Sequence, residues 1–405
     1  MRIAVAQLGA RMHYAVPKIL ERAKRLEHFY TDICASKGWP RALKPLTHLP
    51  GASALRRFMD RVPQDVPSEK ISAYNGLGIR YAIRRARAKT ADEQAKVFLW
   101  AGQAFCKELI RSGLGDASHT FSYNSAGLEW MRYAKSRGLK NILEQTIAPK
   151  EFELQLLNAE QQRFPGWEIS QAGAASSLLA EYCQREKAEW DEADLILCGS
   201  QFVKDGIAAC GGPLSRCEVV PYGVDADPHP IERLTHEGPL RILTVGAVGL
   251  RKGSPYVLEA AKRCKSICEF KMVGPLTASA DALRELSAEL TLSGPVPRSS
   301  IRQHYAWADV FFLPSVCEGS ATVIYEALAA GLPVLTTPNA GSVVSDGEDG
   351  WIVPLAGLDQ MVDRLTWISK NREVLGEFSS RALEKAKKYG VASYGQRLLQ
   401  SLDKI

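Results

Sequence analysis

The chain has 405 residues, a length for two domains or three. Apolar residues make up 46% and charged residues 24%, a balance that excludes a disordered or fibrous chain. The formal net charge of +6 is modest for this length and does not point to a nucleic-acid partner.

"RIAVAQL" opens the chain as a buried strand, since the run IAVA before Gln7 is too short for a signal peptide. No later apolar run approaches the ~18 residues of a membrane span, so a soluble, cytoplasmic protein is expected. "AVPKILERAKRL" follows as an amphipathic helix with Ile19, Leu20, Ala23 and Leu26 on one side. Residues 40–95, rich in Arg and Pro, read as an irregular or helical insertion. Within them "GIRYAIRRARAK" (78–89) carries five positive residues and no acid. On a helix Arg80, Arg84 and Arg87 share one face and Ile79 and Ile83 another, the pattern of weak contact with an anionic membrane surface or of a solvated basic face.

"ADLILCGS" (193–200) is a further buried strand, and a proline-rich connector, "VVPYGVDADPHPIERLTHEGPL", separates the halves. Beyond it come the strand "LRILTVG", a helix "SPYVLEAAKRC" with Ser254 as N-cap, and the strands "CEFKMVG" and "ADVFFLP". The helix "ATVIYEALAA", closed by Gly331, and the strand "PVLTT" complete the series. Strand–helix alternation of this kind defines two doubly wound α/β domains facing across a cleft. The boundaries fall at 1–217 and 218–383, with 384–405 a last helix packing back on the first domain. None of the nine cysteines makes a Cys-x-x-Cys pair, which fits reduced cytosolic thiols and not a zinc site or disulfide frame.

The chemistry concentrates in "CEGSATVIYEALAAGLPV" (317–334), where Glu318 and Glu326 flank seven residues. In a strand–loop–helix unit ligands gather at the carboxyl end of the strand, where the following helix points its N-terminus. The first free N–H groups, over Ser320, Ala321, Thr322 and Val323, with the helix dipole, form a place for phosphate. Carboxylates accept from paired sugar hydroxyls, so Glu318 suits a sugar and Glu326 a ribose. Together these favour a nucleotide-sugar; a capped helix with one solvated carboxylate is the structural alternative.

The stretch "PSVCEGSATVIYEALAAGLPVLTTPNAGSVVSDGEDGWIVP" resembles the donor-site signature of family 4 retaining glycosyltransferases of GT-B fold, which include bacterial mannosyl- and glucosyltransferases. "EVVPYGVD" resembles that family's Asn-Gly-Val-Asp strand end, with Tyr222 in place of Asn. The resemblance covers about 193–400 and is strong in the second half. It implies two Rossmann-like domains and transfer of a sugar, with retention, from a nucleoside diphosphate to a saccharide or lipid-linked acceptor. The products would serve cell-surface polysaccharide or glycolipid synthesis, at the inner face of the membrane if peripheral. Glu318 would then read the transferred sugar and Glu326 the ribose.

In "VGAVGLRKGSPYVLEA" the resemblance puts Gly246 and Lys252 in the diphosphate motif, with Ala247 where the family has Arg. Arg251 is the candidate replacement for that lost cation. His119 matches a first active-site histidine, while Gln145 stands where a second is usual. Gly9 fits a Gly-rich loop after the first strand, with Ala10 in place of its second Gly and Arg11 and His13 as further polar contacts. Val296 marks the loop beneath the base. No cofactor and no metal are implied; "DAD" (225–227), which looks like an Asp-x-Asp metal motif, lies in the connector. Two alternatives stand beside this reading: a nucleotide-sugar epimerase of the same fold, and a nucleotide-sugar-binding GT-B protein that has lost catalysis, which the departures at Ala247, Ala10 and Gln145 favour.

Overall fold

Ile3–Gln7 is buried along its whole length, as a strand covered on both faces must be. The structure is a computed structural model that describes residues 1–48, 53–88, 90–168, 177–225, 231 and 236–405. The first sheet comprises β1 (Ile3–Gln7), β2 (Leu26–Thr31), β3 (Ile71–Ala73), β4 (His119–Tyr123), β5 (Lys140–Gln145), β6 (Leu195–Cys198) and β7 (Cys217–Val219). The second comprises β8 (Leu240–Val245), β9 (Cys268–Val273), β10 (Thr291–Leu292), β11 (Val310–Leu313), β12 (Val334–Thr336) and β13 (Gly350–Ile352). Every named pairing is parallel, and the orders are β3-β2-β1-β4-β5-β6-β7 and β10-β9-β8-β11-β12-β13. Each sheet therefore reverses its winding once, between β1 and β4 and between β8 and β11, and crevices open at those switch points.

The first helix is shorter than its pattern suggests, and Leu26 belongs to β2. The helix Ala15–Arg22 ends in a Schellman closure, with Arg25 N–H on the Leu20 carbonyl (2.7 Å) and Lys24 N–H on that of Glu21 (2.9 Å). Lys24 takes the left-handed position (φ 57°) that glycine usually marks. In the insertion, helices Asn75–Arg87 and Ala91–Ser112 follow the short strand β3. Ser254 starts its helix without capping it: its hydroxyl accepts from Gly249 N–H (2.9 Å), and Gly253 is the N-cap.

The first sheet runs to Val219, two residues past the boundary expected at 217. The second domain ends with the helix Val374–Lys388, whose Ala382 and Ala386 pack with Ile324 and Leu328. Beyond Gly390 the helix Val391–Leu402 returns to the first domain and buries Tyr394, Leu398 and Leu402 against Ile3, Val5 and Tyr14. Each of these side chains contributes about 1.5–3 kcal/mol by leaving water. The outgoing connector runs beside it: Val224 N–H donates to Tyr389 O (3.0 Å), and Asp225 accepts from Val391 N–H (2.9 Å). Asp225 thus receives the first turn of the last helix; the other acid of the "DAD" motif, at 227, lies outside the described residues.

Candidate active site

The donor-side cluster forms where β8 and β11 part. After β8 the chain passes Gly246 (φ 148°) and tightens into a 3₁₀ turn over Leu250–Lys252. A Cβ on Gly246 would stand 3.0 Å from Lys252 Cε, so the glycine lets the lysine stem lie across the backbone. Val316 N–H donates to the Arg251 carbonyl (2.9 Å), tying the loop after β11 to that turn. The result is one charged cluster: Lys252 Nζ lies 2.7 Å and an Arg251 Nη 3.6 Å from Glu318 Oε1. Lys252 and Glu318 are nearly buried, whereas Arg251 is 39% exposed in its side chain. Burial disfavours the Arg251 charge, but Glu318 and then Glu153 hold its pKa above the usual value. Ala247 supplies no cation, and Arg251 reaches the same carboxylate as Lys252.

The helix expected near Ser320 begins at Thr322, with Ala321 as an N-cap that makes no side-chain capping bond. Ala321 N–H is not free, since it donates to Ala340 O (3.1 Å), and Glu318 N–H likewise donates to Asn339 O (3.1 Å). Ser320 is buried and shares a hydrogen bond with the Tyr325 hydroxyl (2.8 Å). The phosphate place therefore narrows to the first turn of the helix, where Thr322 is exposed and Val323 half-buried. One turn on, Glu326 accepts from the Tyr305 hydroxyl (3.0 Å) and borders a depression of about 250 Å³ with Asp225, Arg298 and Ile301. Val296 packs against the apolar cluster that contains Tyr305 and Ala327. Tyr305 had no distinguishing sequence signal, because its role depends on two helices meeting.

Across the cleft, Gly9 (φ 82°) turns the chain after β1, and its N–H donates to Asp32 Oδ1 (2.9 Å). Arg61 holds the same carboxylate at 3.0 Å. Asp32, 2% exposed, has no sequence signal of its own, because the helical pattern before it runs on into β2, which ends just before it. Met12, His13 and Tyr14 follow with φ of 44°, 51° and 63°, a left-handed run that is costly for side-chain-bearing residues and typical of functional loops. His13 joins Arg298 of the second domain, and burial together with Arg298 lowers its pKa. Arg11 lies over the Tyr123 ring, 5.5 Å from its centroid.

A cavity of about 480 Å³ opens between the domains, reached by Arg11, Tyr123, Ser125 and Lys150 on one side and by Arg251 on the other. Two buried carboxylates of the helix Ser177–Glu192 hold the backbone around it, and Glu186 itself lines the cavity. Glu189 accepts from the N–H groups of Ser125 (2.5 Å), Gly127 (2.9 Å) and Leu128 (3.2 Å), and Glu186 from Lys150 N–H (2.7 Å), Gln145 (2.9 Å) and Asn124 (3.1 Å). Burial raises both pKa values, that of Glu189 to about 7. Gln145 is spent in this framework, since its carbonyl also accepts from Trp190 (2.9 Å).

His119 does not join the site. It opens β4 at the amino end, where Ser118 hydrogen-bonds its Nδ1 (2.8 Å), while the carboxyl end at Tyr123 faces the cavity. The four residue steps between the two ends span roughly 13 Å. The domains meet at Gly319: the Ser200 hydroxyl donates to its carbonyl, and a Cβ there would stand 1.9 Å from Thr146 O. Among the described residues no three His, Cys, Asp or Glu side chains gather as metal ligands would.

The geometry defines a two-domain GT-B architecture with a charged cleft. Residues 239–371, within the second domain, match the family model described as glycosyl transferases group 1. Among curated relatives, the colanic acid biosynthesis glycosyltransferase named WcaL of Salmonella typhimurium is 27% identical over 245 residues, 55% of this chain and 58% of the relative. The amylovoran biosynthesis glycosyltransferase AmsK of Erwinia amylovora is 27% identical over 228 residues, 51% of this chain and 54% of the relative. The chain thus spans little more than half the length of these relatives. The crystal structure of Anabaena Alr3699/HepE in complex with UDP aligns over 100% of both chains, with a TM-score of 0.61 at 13% identity.

Proposed function

We propose that this protein is a glycosyltransferase of polysaccharide or glycolipid synthesis that moves a sugar, with retention, from a nucleoside diphosphate to a saccharide or lipid-linked acceptor. The observation that carries the reading is the convergence of Arg251 and Lys252 on Glu318 at the β8/β11 switch point. A leaving diphosphate gains negative charge as the glycosidic bond breaks, and preplaced cations at that point stabilise it. Lys252 and Arg251 take this task together with the first turn at Thr322 and Val323, without a metal. Glu318 positions the sugar, and Glu326, held by Tyr305, receives the ribose. With retention, the acceptor attacks from the face the diphosphate leaves, and the diphosphate oxygen takes the acceptor proton. The protein's contribution is then placement and electrostatics. The group 1 domain, the polysaccharide-related names of two relatives and the UDP-bound HepE neighbour support the reading and make UDP the first donor nucleotide to try.

A cytoplasmic enzyme touching the membrane completes the proposal. Among the described residues no helix is long and apolar enough to cross a bilayer. On the helix Asn75–Arg87, Ile83 is 47% exposed. Arg80, Arg84 and Arg87 are exposed, Arg84 also stacking over Trp100 at 3.9 Å; Lys89 lies outside the described residues. Retention on anionic vesicles at low salt, abolished by 0.5 M salt, is the expected behaviour of such a surface, and no retention removes this part.

The test is to incubate the protein with UDP-, GDP-, ADP- and dTDP-sugars and follow nucleotide release and anomeric configuration by NMR. Slow release without acceptor from one donor, giving a product with the donor's configuration, is expected. Epimerised donor, or no turnover of any donor while nucleotide still binds, would favour the epimerase or the non-catalytic alternative.

A further inference from the structure

The cavity between the domains carries more cationic character than a neutral saccharide needs. Arg11 and Arg85 both line it, and among the described residues neither makes an ion pair with a carboxylate. Both lie near enough to Tyr81 for their charge to act on its hydroxyl. Lys150 is a third cation, paired with Glu153 at 2.8 Å, and Arg251 a fourth, turned toward Glu318. The acids on this surface are Glu153 and Glu186, one paired with Lys150 and the other occupied by three donors. Two guanidinium groups thus remain for a ligand.

The cavity also has an apolar side, beside the arginines. Tyr81, Phe98 and Tyr182 form a ladder, with ring centroids 6.5 Å and 6.3 Å apart, and Leu8 and Leu179 extend it. Unpaired arginines beside such a wall match an oxyanion attached to an apolar body: guanidinium groups grip phosphate in bidentate fashion, and the wall takes the chain. The helix that lines the cavity with Tyr81 and Arg85 also carries the exposed Ile83.

We propose that this cavity binds a phosphate-bearing amphiphile, with Arg11 and Arg85 holding the phosphate and the Tyr81–Phe98–Tyr182 wall the apolar chain. That this ligand is the sugar acceptor rests on the proposed function; that the cavity takes such a ligand does not.

The experiment is calorimetric titration of the whole protein, with and without UDP, using octyl phosphate below its micelle concentration, inorganic phosphate and octyl glucoside. Octyl phosphate is expected to bind at least tenfold more tightly than either other probe and to do so alongside UDP. Arg85→Gln should weaken it at least fivefold and the Arg11→Gln/Arg85→Gln pair more, whereas Arg80→Gln, on the same helix but outside the cavity, should not. Absence of octyl phosphate binding, equal binding of octyl glucoside or of inorganic phosphate, an equal loss in Arg80→Gln or one-for-one competition with UDP would overturn the proposal. If octyl phosphate binds as expected but no nucleotide-sugar is turned over, the ligand class stands and its role as acceptor falls.

Discussion

Lys252 Nζ stands 2.7 Å from Glu318 Oε1, joining the turn after β8 to the loop after β11 across the switch point of the second sheet. With both groups nearly buried, the pair holds a cation ready without leaving it uncompensated before a donor arrives. When a diphosphate enters, the lysine can share its charge between Glu318 and the leaving oxygens. Lys252→Ala should therefore lower kcat at least tenfold while KM for the donor changes less than threefold. Steady-state kinetics decides it; a raised KM at unchanged kcat would make Lys252 an anchor of the ground state.

Glu326 depends on Tyr305. Removing the Tyr305 hydroxyl leaves the carboxylate unguided but present, so Tyr305→Phe should raise donor KM roughly two- to fivefold, about the worth of one hydrogen bond. Glu326→Ala should cut turnover at least tenfold. Equal effects of the two variants would show that the tyrosine does more than hold the glutamate.

Gly319 sits where the domains touch. A methyl group there would press into Thr146 O at 1.9 Å, against backbone on both sides, so Gly319→Ala must hold the domains apart. Activity is expected to fall at least tenfold, with closure lost and the core of each domain intact. Small-angle scattering with nucleotide should show a larger radius of gyration for the variant, and near-normal activity would show that this contact is dispensable.

Glu144 is buried and accepts from Tyr222 (2.8 Å) on one oxygen; among the described residues the other oxygen has no partner. Burial raises its pKa from the ordinary 4.5 to about 7, more than the Tyr222 hydrogen bond lowers it. The fold therefore favours the neutral acid. Its contribution is complete below about pH 4.5 and is lost as the pH rises through about 7; the difference is worth up to about 3 kcal/mol. Between pH 5 and 8 the wild-type Tm should fall by several degrees more than that of Glu144→Gln, and parallel pH profiles would contradict this.

Most of the second domain was legible because its strands are continuous apolar runs bounded by Gly and Pro, while Glu318, Glu326 and Lys252 stood out through the resemblance of their segments to a family's donor-site motifs. The first domain was harder for identifiable reasons. Lys24 occupies a helix stop where glycine would have signalled the end, so β2 was merged into the preceding helix and Asp32 lost its context. His119 was read as a site residue although the carboxyl end of its strand comes four residues later, at Tyr123. The N–H of Ala321 looked free in the linear pattern because only the fold brings Ala340 beneath it. Tyr305, Arg85 and Lys150 reach their places through tertiary packing alone.

The central claim is that a nucleoside diphosphate sits between Lys252 and Glu326, and thermal denaturation with UDP, GDP, ADP and dTDP tests it most directly. A nucleotide at about 100 times its Kd adds roughly 2.7 kcal/mol, enough to move Tm by several degrees. The account predicts such a shift for one nucleotide in the wild type and its loss in Glu326→Ala. An equal shift in both proteins, or none with any nucleotide, would contradict it.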